Sequence, residues 1–521
     1  MSWLLPLVLA VPLAGSALLT VLPRRTADRT AAWLGVVISA VTFGVVLVVA
    51  GTFDRTRPQQ VQLETDLPWV PAFGMRFHLG VDGVSLPFVV LTALLVLCCC
   101  VYTVRVRPVA GRVKALTALV LLLEVGMLGT FTALDLLLFF LSFEIVLVPM
   151  WFVIAWWGEP QDRPGRTAAA TTFILYTLAG SALMLAGFLL VGAQAGTLDL
   201  VELAARSGEG LTPRVQLLAA LAIVGGLAVK VPLWPLHTWL PDAHAKAPTV
   251  GSVLLAGVLL KMGSYGLVRV ALPVVPDGVA QIAPWLAGLA VVGIVYGSLA
   301  CLAQSDLKRL VAYSSVGHMG FVVLGVATLT PAGVNGSIYA GLAHGIITGL
   351  LFFLAGAVKD RHGTTDMAAL GGGLYVRLPR LGALLAFACV ASLGLPGLAG
   401  FWGEFMSLVA AYNPLEGLSL GVFRTGMVLG AIGTVLTAGY MLWMLQRVNL
   451  GEPNAEWEGH EFHDVDRFEL TAWVPLIVLI VVIGFYPKII FDTTTDAVTS
   501  LVEMAFGTET TAAASTMVKG G

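Results

Sequence analysis

The stretch LAVKVPLWPLHTWLPDAHAKAP, Leu227–Pro248, decides how the chain must be read. Lys230 stands among apolar residues, and Pro232 and Pro235 follow it at once. His237, Asp242 and His244 come next. Proline removes a backbone donor and clashes with the preceding turn. The stretch therefore predicts a helix that breaks just after a buried lysine. In a bilayer, such a break is tolerated only where other protein or a water-filled cavity satisfies the freed backbone groups.

The surrounding composition is that of a membrane protein. The 521 residues are 58% hydrophobic and only 12% charged, against about 25% charged in soluble domains. A net charge of −2 and the absence of a basic block exclude nucleic acid as a partner. Cys98, Cys99 and Cys100 are consecutive in an apolar run, and Cys301 and Cys389 are isolated. None has metal-ligand spacing, so they read as small hydrophobes facing lipid or neighbouring helices rather than as zinc or iron–sulfur ligands. The first apolar run lacks a positive start, and Arg24, Arg25 and Arg29 follow it. That order predicts a retained first span with its N-terminus outside.

Fourteen apolar runs have transmembrane length: 2–22, 31–51, 82–104, 115–133, 134–157, 167–194, 213–243, 249–272, 280–303, 307–328, 331–358, 380–410, 421–449 and 469–490. The expected fold is all-α and polytopic, with breaks in span 7 and, at GLPGLAG (394–400), in span 12. With the N-terminus outside, eighteen of the 29 Lys and Arg residues fall in inside loops and nine outside. Lys230 and Lys261 are left within spans, and both termini are predicted outside. Broken helices in corresponding positions mark inverted repeats. Spans 4–8 (residues 115–272) and 9–13 (residues 280–449) read as two such five-helix repeats. Residues 1–114 supply spans 1–3 and an outside loop, and 450–521 an acidic inside loop, span 14 and an outside tail. Loop 52–81 reads as a cap over the bundle, and 450–468 as a solvated connection. The GGG at 371–373 follows no strand, so it is not a nucleotide fingerprint. The sequon match at 335–337 is short enough to arise by chance.

Several ionisable residues fall at one depth. Glu144 lies about ten residues into span 5, roughly 15 Å, in a hydrocarbon core about 30 Å thick. Lys261, His318 and His344 are mid-span, Lys230 precedes the span 7 break, and Glu404 follows the span 12 break. A charge at a helix centre costs at least about 2.5 kcal/mol, so the set Glu144, Lys230, Lys261, His318 and Glu404 is hard to retain without an ion pathway. His344 alone reads equally well as a structural bond between helices. Glu124 and Asp135, near the outer ends of spans 4 and 5, read as structural.

Five motifs carry a family resemblance: FFLSFEIVLVPMWF (139–152), AVKVPLWPLHTWLPDAHAKAPTVGSVLLAGVLLKMGSYG (228–266), SDLKRLVAYSSVGHMG (305–320), GLAHGIITGLLFFLAG (341–356) and GLPGLAGFWGEF (394–405). Over nearly its whole length the chain resembles the antiporter-like subunits of respiratory complex I. The resemblance implies that Glu144 pairs with Lys230 and that Lys261 connects the two halves. It makes His318 and His344 parts of a central axis, Glu404 its terminal acid, and His237 the histidine after the span 7 break. Two of the three sister chains have lysine in the broken twelfth span; Glu404 matches the third.

The function implied is proton translocation by a subunit of an NADH:quinone oxidoreductase. A proton would enter near His237, reach Lys230, and pass Lys261 and His318 to Glu404. No redox chemistry or cofactor is expected in this chain; NADH, FMN, iron–sulfur clusters and quinone belong to partner subunits. Expected partners are other membrane-arm subunits, including the antiporter-like chains L and N, and the lipid of a bacterial cytoplasmic membrane. The alternatives are a subunit of a multi-subunit Na+/H+ antiporter or membrane-bound hydrogenase, and a scaffold that transports nothing.

Overall fold

The computed structural model describes residues 3–23, 26–105, 112–457 and 459–507. Arg24, Arg25, Arg107, Lys519 and the tail 508–521 lie outside the described residues. Among the described residues, thirteen helical segments are long and apolar enough to cross a membrane. They are Leu4–Val21, Asp28–Thr52, Leu86–Arg105, Val113–Thr132, Leu136–Trp157, Arg163–Ala195, Pro213–Lys230, Thr249–Val274, Pro276–Leu302, Leu307–Ala327, Pro331–His362, Leu420–Val448 and Arg467–Phe485. Span 12 is two shorter helices, Pro379–Ser392 and Gly400–Tyr412, separated by the glycine-rich stretch. Span 7 ends at Lys230 and resumes as Trp239–Lys246.

The helix ends follow from side-chain chemistry. Asp135, Asp162, Thr212, Asp306 and Thr330 each accept a backbone N–H in the first turn of the helix they precede. Pro213 and Pro331 stand at first helical positions, where the missing N–H is not needed. Spans 8, 10 and 11 are enclosed almost wholly by protein, whereas spans 1, 2, 6, 13 and 14 turn a broad face outward. Glycine permits the closest crossings. A Cβ on Gly226 would come within 2.3 Å of the Gly180 carbonyl oxygen, and one on Gly403 within 2.3 Å of the Ala340 nitrogen.

Loops expected on one side meet each other. Lys359 pairs with Glu159, Lys246 with Asp162, Arg361 with Glu469 and Arg105 with Asp466. At the other end, His78 joins Asp199, and the Arg76 amide donates to Asp135.

The structure departs from the sequence reading in several places. Loop 52–81 contains an antiparallel hairpin, β1 (Gln62–Val70) and β2 (Met75–Val81), so the expected all-α description omits one small sheet. Loop 450–468 is not merely solvated. Trp457 and Phe462 lie on His362, and Asp464 accepts the Arg380 and Leu381 amides. A further amphipathic helix, Lys488–Phe506, lies beyond span 14, where only a tail was expected. Its Thr494 and Thr495 bond Asn335, which is buried at 4% exposure, so the sequon match is a helix-to-helix contact. All five cysteines are buried within the protein, which agrees with the expected packing of small hydrophobes against neighbouring helices. Arg269, counted as a loop charge, is folded mostly inside, its side chain 12% exposed, and pairs with Asp82 at 2.7 Å. Lys308, also counted with the loops, is 1% exposed.

Candidate functional site

At the break in span 7, two backbone carbonyls find new donors. Pro232 cannot donate to the Ala228 carbonyl, and the Leu233 amide does so instead at 2.9 Å. The Val229 carbonyl, which thereby loses its helical donor, accepts from Trp239 Nε1 at 3.0 Å. Lys230 is thus fixed at the last turn of a helix whose end is tied down from beyond the break. Its side chain is 1% exposed, and Nζ has no hydrogen-bond partner. The Phe143 and Phe173 rings lie 4.8 and 5.9 Å from Nζ and offer their negative faces.

Glu144 sits on the neighbouring span 5, one residue from Phe143. The helix is interrupted at Val146, between Leu136–Ile145 and Leu147–Trp157. Pro149 has no N–H for the Ile145 carbonyl, which accounts for the break. The groups acting on the Glu144 carboxyl are the Ser181 hydroxyl and Lys230. No Glu144–Lys230 ion pair closes within 4.0 Å among the described residues, and Glu144 Oε1 has no partner. The pair implied by the sequence is adjacent but open.

The next four residues form a connected row. Lys261 lies between two π-helical turns of span 8, Leu255–Leu259 and Leu267–Ala271, a distortion frequent at functional sites. Lys261 Nζ is 2.5 Å from His344 Nδ1 and donates to the Ala256 carbonyl at 2.5 Å. The His344 and His318 ring centroids are 5.5 Å apart. His318 Nδ1 lies 2.6 Å from Glu404 Oε1, and its Nε2 lies 3.0 Å from the Ser392 hydroxyl. A cavity of about 20 Å³ opens between His318, His344, Thr348, Ser392 and Glu404, enough for one water. Glu404 Oε2 has no partner. Gly394, at φ +74°, turns the span 12 break beside it; a Cβ there would stand 3.6 Å from that oxygen.

Lys230 and Lys261 are not bonded to each other, but their helices meet closely. A Cβ on Gly263 would lie 3.1 Å from Lys230 Cβ, two residues along span 8 from Lys261. His237 is 2% exposed between Tyr296 and Tyr313, with Nδ1 unpartnered, and makes no bond to Lys230.

One residue behaves differently from the sequence reading. Glu124, taken as a structural residue near a span end, lies in the interior of Val113–Thr132, fully buried, with both carboxyl oxygens unpartnered. Asp135 is structural as expected: it caps span 5 through the Leu137 and Leu138 amides, each at 2.9 Å. One residue was missed as a site residue. His244 is 0% exposed, stacked on Phe352 at 4.5 Å, and neither ring nitrogen has a partner. Lys308 and Lys261 act on it electrostatically. The sequence signal was its place seven residues after His237, masked by the neighbouring Asp242 and Lys246.

One cluster has metal-ligand spacing among the described residues: Glu64, Asp66 and His78, with ligand atoms within 4.8 Å of one another. Arg76 already holds Asp66, and Asp199 holds His78. These are links between the outer loops.

A membrane bundle with two broken helices and a buried Lys–His–His–Glu row is the architecture of an antiporter-like membrane subunit. A family profile described as NADH:quinone oxidoreductase/Mrp antiporter, TM, matches residues 133–430. Subunit M of NADH-quinone oxidoreductase from Rhodobacter capsulatus is 40% identical over 516 residues, covering 96% of this chain and 97% of that one. A chain of respiratory complex I from Thermus thermophilus with bound NADH superimposes with a TM-score of 0.84 at 31% identity, covering 96% and 99%. A chain of the Mrp complex from Dietzia sp. DQ12-45-1b has the same fold, with a TM-score of 0.81, 20% identity and coverage of 97% and 99%. The chain belongs to the subunit M family of NADH-quinone oxidoreductase.

Proposed function

We propose that this chain translocates protons within the membrane arm of a complex I, driven by quinone reduction in other subunits. The supporting observation is the continuous row Lys261–His344–His318–Glu404, with Lys230 and Glu144 adjoining it. A proton enters near His237, charges Lys230, crosses to Lys261 and passes along the histidines to Glu404, from which it leaves outward. Water bridges the steps where side chains do not touch. NADH, FMN, iron–sulfur clusters and quinone act in partner subunits, and chains L and N are the neighbours. The membrane is the bacterial cytoplasmic membrane, with both termini outside. Spans 4–8 and 9–13 act as inverted repeats, residues 115–272 and 280–449.

The energetics suit a switch between Lys230 and Glu144. At an effective dielectric of about 20, unit charges attract by roughly 4 kcal/mol at 4 Å and 2 kcal/mol at 8 Å. Opening the pair therefore changes the lysine's hold on its proton by about 2 kcal/mol. Moving one charge against 100 mV takes about 2.3 kcal/mol. A side-chain movement of a few ångströms is the right size. The break at Val146 gives Glu144 the local freedom for it.

The assembly containing this chain tests the reading. Captured through an affinity tag on this chain, it should oxidise NADH with quinone and acidify one side of a proteoliposome. Capture of a cation-antiporter assembly without NADH:quinone activity would contradict the proposal and favour the Na+/H+ alternative. NADH:quinone activity whose pumping is indifferent to every substitution in the row would favour the scaffold.

A further inference from the structure

A groove of about 1180 Å³ opens where span 4 begins and spans 5 and 6 are joined. None of the residues lining it is acidic; Arg112, Arg163 and Arg166 line it together with Trp151, Trp156 and Trp157. The nearby acids are committed elsewhere: Glu159 pairs with Lys359, and Asp162 pairs with Lys246 at 2.7 Å while capping span 6. The segment 106–111, next to Arg112, contains no acid. The groove therefore carries three uncompensated positive charges at the level where helices leave the membrane.

Its aromatic wall is continuous. Trp151, Phe152, Trp156 and Trp157 touch in sequence, with centroid separations of 4.9, 4.7 and 5.9 Å. Tryptophan is enriched at the headgroup level of a bilayer, where one end of the ring is apolar and the other wet. Trp156 is 45% exposed, whereas Trp157 is 2% exposed and its indole N–H has no acceptor. Trp157 also walls a smaller polar cavity beside Lys308 and Asp360. Arg166 is anchored through Nη1 to the Gly158 carbonyl at 3.1 Å, leaving Nε without a partner. Two donors in the groove wall thus lack an acceptor, beside two exposed guanidinium groups with no bond to any described residue.

We propose that this groove is a binding site for an anionic phospholipid. The phosphate lies among Arg112, Arg163 and Arg166, and the acyl chains descend along Trp151 and Trp156. The occupant is a lipid, not a free anion, because the cations stand at the rim of an apolar aromatic surface that faces the bilayer. Planar guanidinium groups suit phosphate recognition by paired hydrogen bonds. The site also bears on the pathway, since Trp151–Trp157 belong to the half of span 5 beyond the break next to Glu144.

The test uses the whole delipidated complex, titrated with phosphatidylglycerol or phosphatidylcholine and read by native mass spectrometry. Phosphatidylglycerol should bind preferentially. Arg112→Gln together with Arg163→Gln, two residues whose guanidinium groups bond no described residue, should weaken it roughly 30-fold, taking about 1 kcal/mol per basic residue. Arg112→Lys with Arg163→Lys should restore most of it. Equal binding of the two lipids, or displacement by 10 mM inorganic phosphate, would overturn the proposal. So would a glutamine variant that loses a neighbouring subunit with its lipid content unchanged, because the groove would then be a protein seat.

Discussion

Replacing Glu404 by glutamine isolates one link of the row. His318 Nδ1 and Glu404 Oε1 are 2.6 Å apart, both residues less than a tenth exposed. With the proton on His318, the two form an imidazolium–carboxylate pair. Taking its charge centres about 4 Å apart and a dielectric of about 20, the attraction is roughly 4 kcal/mol. Glutamine keeps the size and a hydrogen bond but removes the charge, and with it up to about 4 kcal/mol of attraction between the two groups when a proton passes through the pair. That step should slow and become limiting. Proton pumping by the assembled complex in proteoliposomes, read by a pH-sensitive dye alongside NADH:quinone turnover, measures this. Pumping should nearly vanish, with coupled turnover falling beside it. Glu404→Asp should be partly active, and Glu404→Lys separates the need for an acid from the need for any titratable group. Normal pumping in the glutamine variant would refute the reasoning and place the outward exit elsewhere, with His344 the first candidate.

Glu144→Gln should lose most pumping, because Lys230 loses the carboxylate that modulates it; near-normal pumping would show that the pair is not the switch. His78 offers a pH test outside the membrane: burial works against its cation, but Asp199 and Glu64 outweigh this and hold its pKa above the usual histidine range. Asp199 is held low by the same contact, against the opposing effect of its own burial. The stability that the charged histidine contributes is present in full below about pH 6.5 and lost as pH rises through the raised value, while that from the aspartate is lost as pH falls below about 4. The protection factors of the β1–β2 amides, which are exchange rates corrected for their intrinsic pH dependence, should therefore be highest in the mildly acidic range between them, and His78→Gln should flatten that dependence. Gly263→Leu should disrupt the approach of span 8 to Lys230 and reduce pumping, measured in assembled complex; wild-type pumping would show that this contact does not matter.

The spans and both proline- or glycine-marked breaks were legible because length, hydropathy and helix-breaking residues are local properties of the chain. The break at Val146 was less so. Pro149 is a visible cause, but the apolar run around it continues without a polar gap. The π-helical turns around Lys261 have no local sequence mark, since Leu255–Leu259 is ordinary helix-forming sequence. Lys261, His318 and Glu404 could be singled out by the cost of burying them. That His344 bridges Lys261 to His318 could not, because it depends on how spans 8, 10 and 11 face each other. His244 was overlooked because Asp242 and Lys246 gave its segment the look of a loop. The hairpin was missed through its mixed composition, and the helix Lys488–Phe506 because its polar face carries threonines and aspartates that lower its hydropathy. The burial of Lys308 and Arg269 shows the limit of counting loop charges: a cation at a helix end can be folded into the bundle.

The central claim is that protons cross through Lys230. The direct measurement is the number of protons pumped per NADH oxidised by fully assembled complex carrying Lys230→Ala. The account predicts normal assembly with pumping and coupled turnover largely abolished. An assembled variant that pumps with unchanged stoichiometry and near-normal turnover would contradict it.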